Sequence, residues 1–156
     1  MNPLKRTYLV VIDDSAEARV ALRFAARRAA KTDGAVEVLA IVQPQEFVQW
    51  GGVQSAIEEE QQLRIEAKVA AALGELPGEA AVITPEILVR QGDPVAVVRE
   101  MLGDRSDIAA LVLGTAPAGD PGILVAAFAG PDAGKLPCPV MIIPGGLSDA
   151  RLEALS

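Results

Sequence analysis

Two adjacent carboxylates, Asp13 and Asp14, follow directly after the apolar run YLVVI and precede Ser15. Neighbouring carboxylates at the end of a buried strand serve three purposes in proteins. They hold a metal ion, they bind the ribose or base of a nucleotide, or they form a turn and cap the next helix. Which purpose applies here determines the kind of site that the sequence encodes.

A magnesium site of the phosphoacceptor receiver type is the first alternative. Besides two acids after the first strand, that site needs an aspartate at the end of the third strand and a lysine at the end of the fifth. The third apolar run of this sequence continues into VRQG and the fifth into IIPGG, so neither group is present. We therefore set the metal site aside.

The two remaining purposes, capping a helix and binding a nucleotide, are assigned to different carboxylates. Asp14 or Ser15 can accept a hydrogen bond from the unpaired N–H groups in the first turn of the following helix, which is worth about 1 kcal/mol. We accordingly expect Asp14→Ala to reduce mainly the stability of the helix cap. Asp13 is then left to accept hydrogen bonds from a ribose or a base amine, with a structural role in tying neighbouring loops together as the alternative.

The composition excludes several classes of function. Histidine is absent, which removes Ser-His-Asp and Cys-His catalysis and the commonest zinc ligand. The single cysteine, Cys138, lies between two prolines and is expected to pack rather than react. The formal net charge of −7 at pH 7 argues against binding to a nucleic-acid backbone. We therefore expect a protein that binds a small ligand or a protein partner, and not an enzyme.

The length and the apolar runs indicate the broad class. The chain has 156 residues, of which 51% are hydrophobic, and we expect one globular domain over residues 1–156. The apolar runs are too short and too interrupted to span a bilayer, and the first one ends at Asp13 before it reaches the length of a secretory signal. The sequence predicts a cytoplasmic protein without membrane contact.

Five apolar runs dominated by Val, Ile and Leu predict strands, and none shows the clean alternation of a half-exposed sheet. Helical patterns separate these runs, so strand and helix alternate along the chain. With right-handed crossovers, this order predicts an open, doubly wound α/β sheet with helices on both faces. The predicted strands cover residues 8–12, 36–42, 87–90, 108–113 and 140–143.

The helical patterns fill the intervals between the strands. The first, over residues 15–31, carries a row of arginines that we expect to face solvent, with contact with an acidic partner as the alternative. These are Arg19, Arg23 and Arg27. A second helix should span about residues 54–76, and a third should begin with Asp93 as N-cap and Pro94 at its first position. The fourth, over residues 123–135, should break at its Gly-Pro pair, and the tail that follows the fifth strand could add a short helix.

Ligands of open α/β sheets bind beyond the carboxyl ends of the strands, where the winding direction reverses. Phe47 and Trp50 lie in and just after one of the segments that occupy this position. They should cover the core, with a lid over a ligand or a contact with a partner as the alternatives. The segments in which we expect the chemistry are residues 13–15, 43–47, 91–94 and 114–122.

Five segments, in this order, resemble the universal stress protein family. VVIDDSAEARVAL resembles the family's first strand and helix, where the strand ends in V-D-x-S, and LAIVQP resembles the end of its second strand. VRQGDPVAVVREM is similar to the entry of the third helix, and SDIAALVLGT followed by LPCPVMIIPG resembles the closing pattern. The likeness covers about residues 7–144. It implies a Rossmann-like parallel sheet with the strand order 3-2-1-4-5.

The resemblance also implies a site. In family members that bind ATP, the carboxylate matching Asp13 and the backbone matching Ile41 and Val42 hold the adenosine. The phosphates lie on a glycine loop of the form G-x-x-G-x(9)-G-S/T, and the first glycine matches Gly114. The ligand that the resemblance implies is ATP or another adenine nucleotide, with Mg²⁺.

The loop departs from the family pattern after Gly114. Pro117 stands at the position of the second glycine and Ala127 at that of the third. Pro117 and a second proline remove two N–H donors, and no lysine or arginine occurs between Arg105 and Lys135. The residues of this loop that are left to contact a phosphate are Thr115, Gly119 and Gly122.

Two functions therefore stay open. The first is a regulatory protein that binds an adenine nucleotide at the carboxyl ends of strands 1, 2 and 4, with at most weak ATP hydrolysis. The second is a nucleotide-independent protein that acts through contacts with partner proteins. Both should form a homodimer, because the fifth strand lies at a sheet edge with unpaired backbone groups, and the resemblance implies the same.

Overall fold

The computed structural model of the chain describes residues 5–42, 54–74 and 83–156. Residues 43–53, and with them the expected roles of Phe47 and Trp50, lie outside the described residues. The same holds for the predicted last residues of the second helix, beyond residue 74. The described ranges contain all five predicted strands.

The described strands form one parallel sheet. The strand order is β3-β2-β1-β4-β5, and each neighbouring pair is parallel. In the centre of the sheet, Val10 of the first strand lies opposite Val38 on one side and Val112 on the other. The predicted fold class and strand order are confirmed. The strands are β1 (Thr7–Ile12), β2 (Ala35–Val42), β3 (Glu86–Gln91), β4 (Ile108–Thr115) and β5 (Val140–Pro144).

The helices follow the predicted pattern, and the fourth one breaks as expected. It ends at Phe128, and the Gly-Pro pair separates it from a single 3₁₀ turn at Ala133–Lys135. The Asp93 side chain caps the third helix by accepting a hydrogen bond of 3.0 Å from the N–H of Ala96. Within the described ranges, no helix has the length and apolar character needed to cross a bilayer. The helices are α1 (Ala16–Thr32), α2 (Gln54–Leu73), α3 (Pro94–Asp104), α4 (Ile123–Phe128) and α5 (Asp149–Leu155).

The core has two layers, one on each face of the sheet. Alternate residues of β1 point to opposite layers, with Val10 in the first and Leu9 in the second. The first layer packs against α1, α2 and α5, and the second against α3 and α4. Because both faces are covered, the central strands are largely apolar, which explains why their sequences do not alternate. Glu37 of β2 is a buried charged exception.

The arginine row of α1 differs from the prediction. Arg23 was expected to face solvent, but it is buried, with 6% of its surface exposed. Its guanidinium donates to the backbone oxygen of Ala72 on α2 at 3.4 Å and lies 3.9 Å from the Asp149 carboxylate of α5. The expectation for Arg23 is therefore wrong, because α5 folds back over this part of α1.

Cys138 lies on the second core layer. It is partly buried and packs among apolar side chains there. Burial raises the pKa of the Cys138 thiol, which favours the neutral, unreactive form. These features agree with the packing role expected from the sequence.

Candidate functional site

Asp13 lies directly after β1, at the point where the carboxyl ends of β2 and β4 flank it. Asp13 borders three cavities among the described residues. One of them, with a volume of about 330 Å³, lies between α1 and α2, and the other two reach the ends of β4 and β2. The smaller of these two, which we call the β1–β4 cleft, has a volume of about 90 Å³ and is lined by Asp13, Gly114 and Gly122, among others. The larger one, the β1–β2 cavity, has a volume of about 290 Å³ and is lined by Asp13, Asp14, Ile41, Val42, Arg64 and Lys68, together with other residues.

The Asp13 carboxylate accepts hydrogen bonds within its own turn. Its Oδ1 accepts from the backbone N–H of Ser15 at 2.8 Å and also from the Ser15 hydroxyl. Ser15 in turn caps α1, because its Oγ accepts from the N–H of Ala18 at 3.3 Å. Asp13 therefore orients the cap residue while its carboxylate lines the β1–β4 cleft and the β1–β2 cavity.

Asp14 has a different role from the expected one. Of the two predicted cap residues, Ser15 is the N-cap of α1, whereas the Asp14 carboxylate points to α2. Its Oδ1 accepts from Arg64 Nη2 at 2.5 Å and from Lys68 Nζ. The hydrogen bond from Lys68 is the main cause of the lowered pKa of Asp14. Asp14 is thus an ionised partner of two cations, and its assignment as a cap residue was wrong.

The two cations of α2 are site residues that the sequence did not predict. Arg64 and Lys68 are four residues apart and directly precede the buried residues Ile65 and Val69, which attach α2 to the core. This spacing shows that the two side chains lie on one face of the helix. It does not show which strand end they reach, because Asp14 is 50 and 54 residues away from them along the chain.

Gly114 is in close contact with the beginning of α1. A Cβ atom on this residue would lie 2.3 Å from the backbone oxygen of Glu17. Gly114 therefore lets the end of β4 and the first turn of α1 approach each other. The glycine has a packing reason that is independent of any ligand.

The loop after β4 satisfies much of its hydrogen bonding internally. The backbone N–H of Gly122 donates to the Asp120 carboxylate at 2.9 Å, and the Thr115 hydroxyl donates to the backbone oxygen of Pro121 at 3.2 Å. Gly119 and Gly122 adopt positive φ angles of 85° and 101°. Gly122 lines the β1–β4 cleft, whereas Thr115 and Gly119 line neither this cleft nor the β1–β2 cavity.

The sequence model of the Universal stress protein family matches residues 5–144. The chain belongs to the universal stress protein family. Comparison with the curated proteins gives no match.

Solved structures of universal stress proteins share the fold of this chain. UspA from Lactobacillus plantarum is 18% identical, with a TM-score of 0.62 over 91% of this chain and 99% of that chain. A universal stress protein in complex with cAMP is 19% identical, with a TM-score of 0.56 over 92% of this chain and 100% of the other. The protein from Archaeoglobus fulgidus in complex with dAMP is 18% identical, with a TM-score of 0.58, and the match covers 90% and 99% of the two chains.

Several positions of the loop after Gly114 offer no free N–H. Pro117 has no N–H to donate, and the N–H of Gly122 is already bonded to Asp120. Ile123 and Leu124, at the beginning of α4, place apolar side chains along the β1–β4 cleft and the β1–β2 cavity. In this universal stress protein, the β4 side of the site is therefore partly apolar, and neither Pro117 nor Gly122 offers a free N–H there.

Proposed function

We propose that this universal stress protein is a regulatory protein that binds an adenine nucleotide in the β1–β2 cavity. The observation that carries the proposal is the combination of groups around that cavity. The cavity is lined by the Asp13 carboxylate, by the strand end at Ile41 and Val42, and by the two cations Arg64 and Lys68. Its volume of about 290 Å³ is close to the lower limit of about 300 Å³ for small-molecule pockets.

Each part of the cavity suits a part of the ligand. The Asp13 carboxylate has acceptor capacity for ribose hydroxyls, and the backbone of Ile41 and Val42 ends a strand where an adenine edge can pair. Ile123 and Leu124 supply apolar surface for the face of the base. The complexes of two structural relatives with cAMP and dAMP support an adenine nucleotide as the ligand class.

The proposed role is binding and not catalysis, with at most weak ATP hydrolysis. A triphosphate needs charge neutralisation, and the described residues contain no cluster of three His, Cys, Asp or Glu groups that could hold a metal ion. Asp14 is already bonded to two cations. The described residues therefore form no Mg²⁺ site of their own. The cytoplasmic location stays a prediction from the sequence.

The first experiment is to denature the purified protein by heat and to identify any released nucleotide. Calorimetric titration with adenine nucleotides should then give saturable binding. We expect Asp13→Asn to weaken that binding about tenfold or more, because it removes a charged acceptor from the cavity.

The matched control is Asp33→Asn, an exposed aspartate at the other end of α1. Asp33 has a φ of 53°, a conformation that asparagine also tolerates. This variant should bind as the unaltered protein does. If Asp13→Asn binds with unchanged affinity, Asp13 is not a ligand-binding residue.

The second candidate function is a homodimer that acts on protein partners without nucleotide. Two observations favour it. The first is that β5 lies at the edge of the sheet with Ile142 exposed. The second is that the Asp120 carboxylate already accepts a hydrogen bond from an N–H of the β4 loop. A protein without co-purified nucleotide, together with a flat titration against Mg-ATP and against AMP, would favour this candidate over the first.

A further inference from the structure

Arg64 and Lys68, which we call the α2 cation pair, lie beside the ligand cavity because of how α2 attaches to the core. Ile65 and Val69 are each 5% exposed and fix this helix against the sheet. The residues directly before them, Arg64 and Lys68, therefore lie at the border of the buried face, where the β1–β2 cavity opens. The core positions the pair independently of any ligand.

The α2 cation pair forms an ion pair that a ligand can replace. Both cations bond to the same oxygen, Oδ1 of Asp14. The exposed fractions of the side chains are 49% for Arg64, 33% for Lys68 and 69% for Asp14. Ion pairs with this degree of exposure contribute little to stability, so exchanging one anion for another at this position costs little.

On the opposite side of the site, the described residues of the β4 loop offer no comparable group. The β4 loop has no lysine or arginine and contains Asp120, whose carboxylate bonds to the N–H of Gly122. Pro117 and Pro121 offer no N–H. Among the described residues that line the β1–β2 cavity, Arg64 and Lys68 are the positively charged ones. A phosphate bound at this site therefore has its charge partners on α2.

Building on the proposed function, we propose that the α2 cation pair receives the phosphate of the ligand and that the ligand is a nucleoside monophosphate rather than a triphosphate. Asp14 acts as the resident anion that the phosphate displaces. Arginine and lysine are the usual phosphate partners, and arginine adds two parallel hydrogen bonds to phosphate oxygens.

The number of charges sets the preference for one phosphate. The cavity contributes two cations, Arg64 and Lys68, and two carboxylates, Asp13 and Asp14. One phosphate can replace Asp14 at the cation pair. Further phosphates would meet no additional cation in the described part of the cavity and would add repulsion with the carboxylates.

The test is a calorimetric titration of the whole chain with adenosine, AMP and ATP at constant low ionic strength, the last with and without Mg²⁺. We expect AMP to bind about tenfold or more tightly than adenosine, and ATP to bind no more tightly than AMP. In the double variant Arg64→Gln/Lys68→Gln, the affinity for AMP should fall to that for adenosine, and the affinity for adenosine should not change.

Two further variants sharpen the result. Asp14→Asn removes the competing anion, so it should raise the affinity for AMP and leave that for adenosine unchanged. Arg99→Gln is the matched control, because Arg99 is also an exposed helical arginine, 55% exposed and 2.7 Å from the Asp132 carboxylate, but does not line the cavity. This variant should bind all three ligands as the unaltered protein does.

The outcomes separate this inference from the proposed function. If adenosine and AMP bind but the double variant retains the full affinity for AMP, the cation pair does not bind phosphate and the adenine site stands. A fall in AMP affinity in Asp14→Asn overturns the displacement of Asp14, and ATP binding tenfold tighter than AMP overturns the preference for one phosphate. If neither adenosine nor AMP binds, the proposed function itself is wrong.

Discussion

Gly114 and Glu17 are in backbone contact, because a Cβ atom built on Gly114 would lie 2.3 Å from the Glu17 backbone oxygen and 2.6 Å from its carbonyl carbon. The contact joins the end of β4 to the first turn of α1, beside Asp13. Since both partners are backbone atoms, no flexible side chain can move aside for a larger residue. The geometry of the candidate site therefore depends on a glycine at this position.

Gly114→Ala should destabilise the protein in the absence of any ligand. The added methyl group would force β4 and α1 apart, and overpacking of this kind costs about 1–3 kcal/mol or more. Thermal and urea denaturation of the ligand-free protein measure the loss. Gly103→Ala is the control, because a Cβ there would meet no atom within 4 Å, and alanine is favoured inside α3. That substitution should leave the free energy of unfolding unchanged or raise it, and an equal loss in both variants would refute the contact.

The cap of α1 gives a second prediction. Ser15→Ala should lower the free energy of unfolding by about 1 kcal/mol, because it removes the acceptor for the N–H of Ala18. Asp14→Ala should cost less, since it removes only exposed ion pairs. Urea denaturation of the two variants decides the order. A larger loss from Asp14→Ala would show that Asp14 and not Ser15 supports the helix.

Much of the fold could be predicted because its signals are local. The dense Val, Ile and Leu runs marked all five strands to within two residues at each end, and the Asp93-Pro94 pair marked the beginning of α3. The Gly-Pro pair at residues 130 and 131 marked the interruption after α4. Each of these signals acts through backbone geometry or through burial over a few residues, so the rest of the chain does not alter it.

The side-chain partners of the site could not be predicted in the same way. The contact of Asp14 with Lys68 spans 54 residues, and the hydrogen bond from the Arg27 guanidinium to the Ser156 hydroxyl spans 129. Neither has a sequence signal, because each depends on how one helix rotates against another element. For this reason the local sequence predicts a cap role for Asp14 and a solvent-facing Arg23, although α5 covers Arg23.

A charged cluster at the amino ends of the strands gives a prediction for low pH. Two hydrogen bonds of 2.8 Å from the Arg105 guanidinium, and one of 2.9 Å from the Thr7 hydroxyl, lower the pKa of Asp107 from 3.8 to about 2. Because the folded protein holds this carboxylate in its ionised form, the stabilisation is present above pH 3.8. It is lost as the pH falls through about 2.

Asp107→Asn removes this dependence on pH. Urea denaturation of the variant at several pH values should show a smaller loss of stability between about pH 4 and pH 2 than in the unaltered protein. Asp104→Asn, an exposed aspartate three residues earlier, controls for the change in net charge. If both variants follow the same curve, the contacts of Asp107 do not contribute to acid stability.

The free edge of β5 gives the last prediction, which concerns the proposed homodimer. Within the sheet that the structure describes, β5 has β4 as its one neighbour, and the side chain of Ile142 on this strand is 38% exposed. Two such edges can pair about a twofold axis and bury this side chain. We therefore expect sedimentation at micromolar concentration to show a dimer and Ile142→Lys to shift it to the monomer, since an edge lysine opposes strand pairing.

Leu63→Lys is the control, because Leu63 is 66% exposed but lies on α2, away from that edge. A dimer that survives Ile142→Lys but dissociates in Leu63→Lys would place the interface on α2, and a monomer before any substitution would refute the pairing of β5 edges.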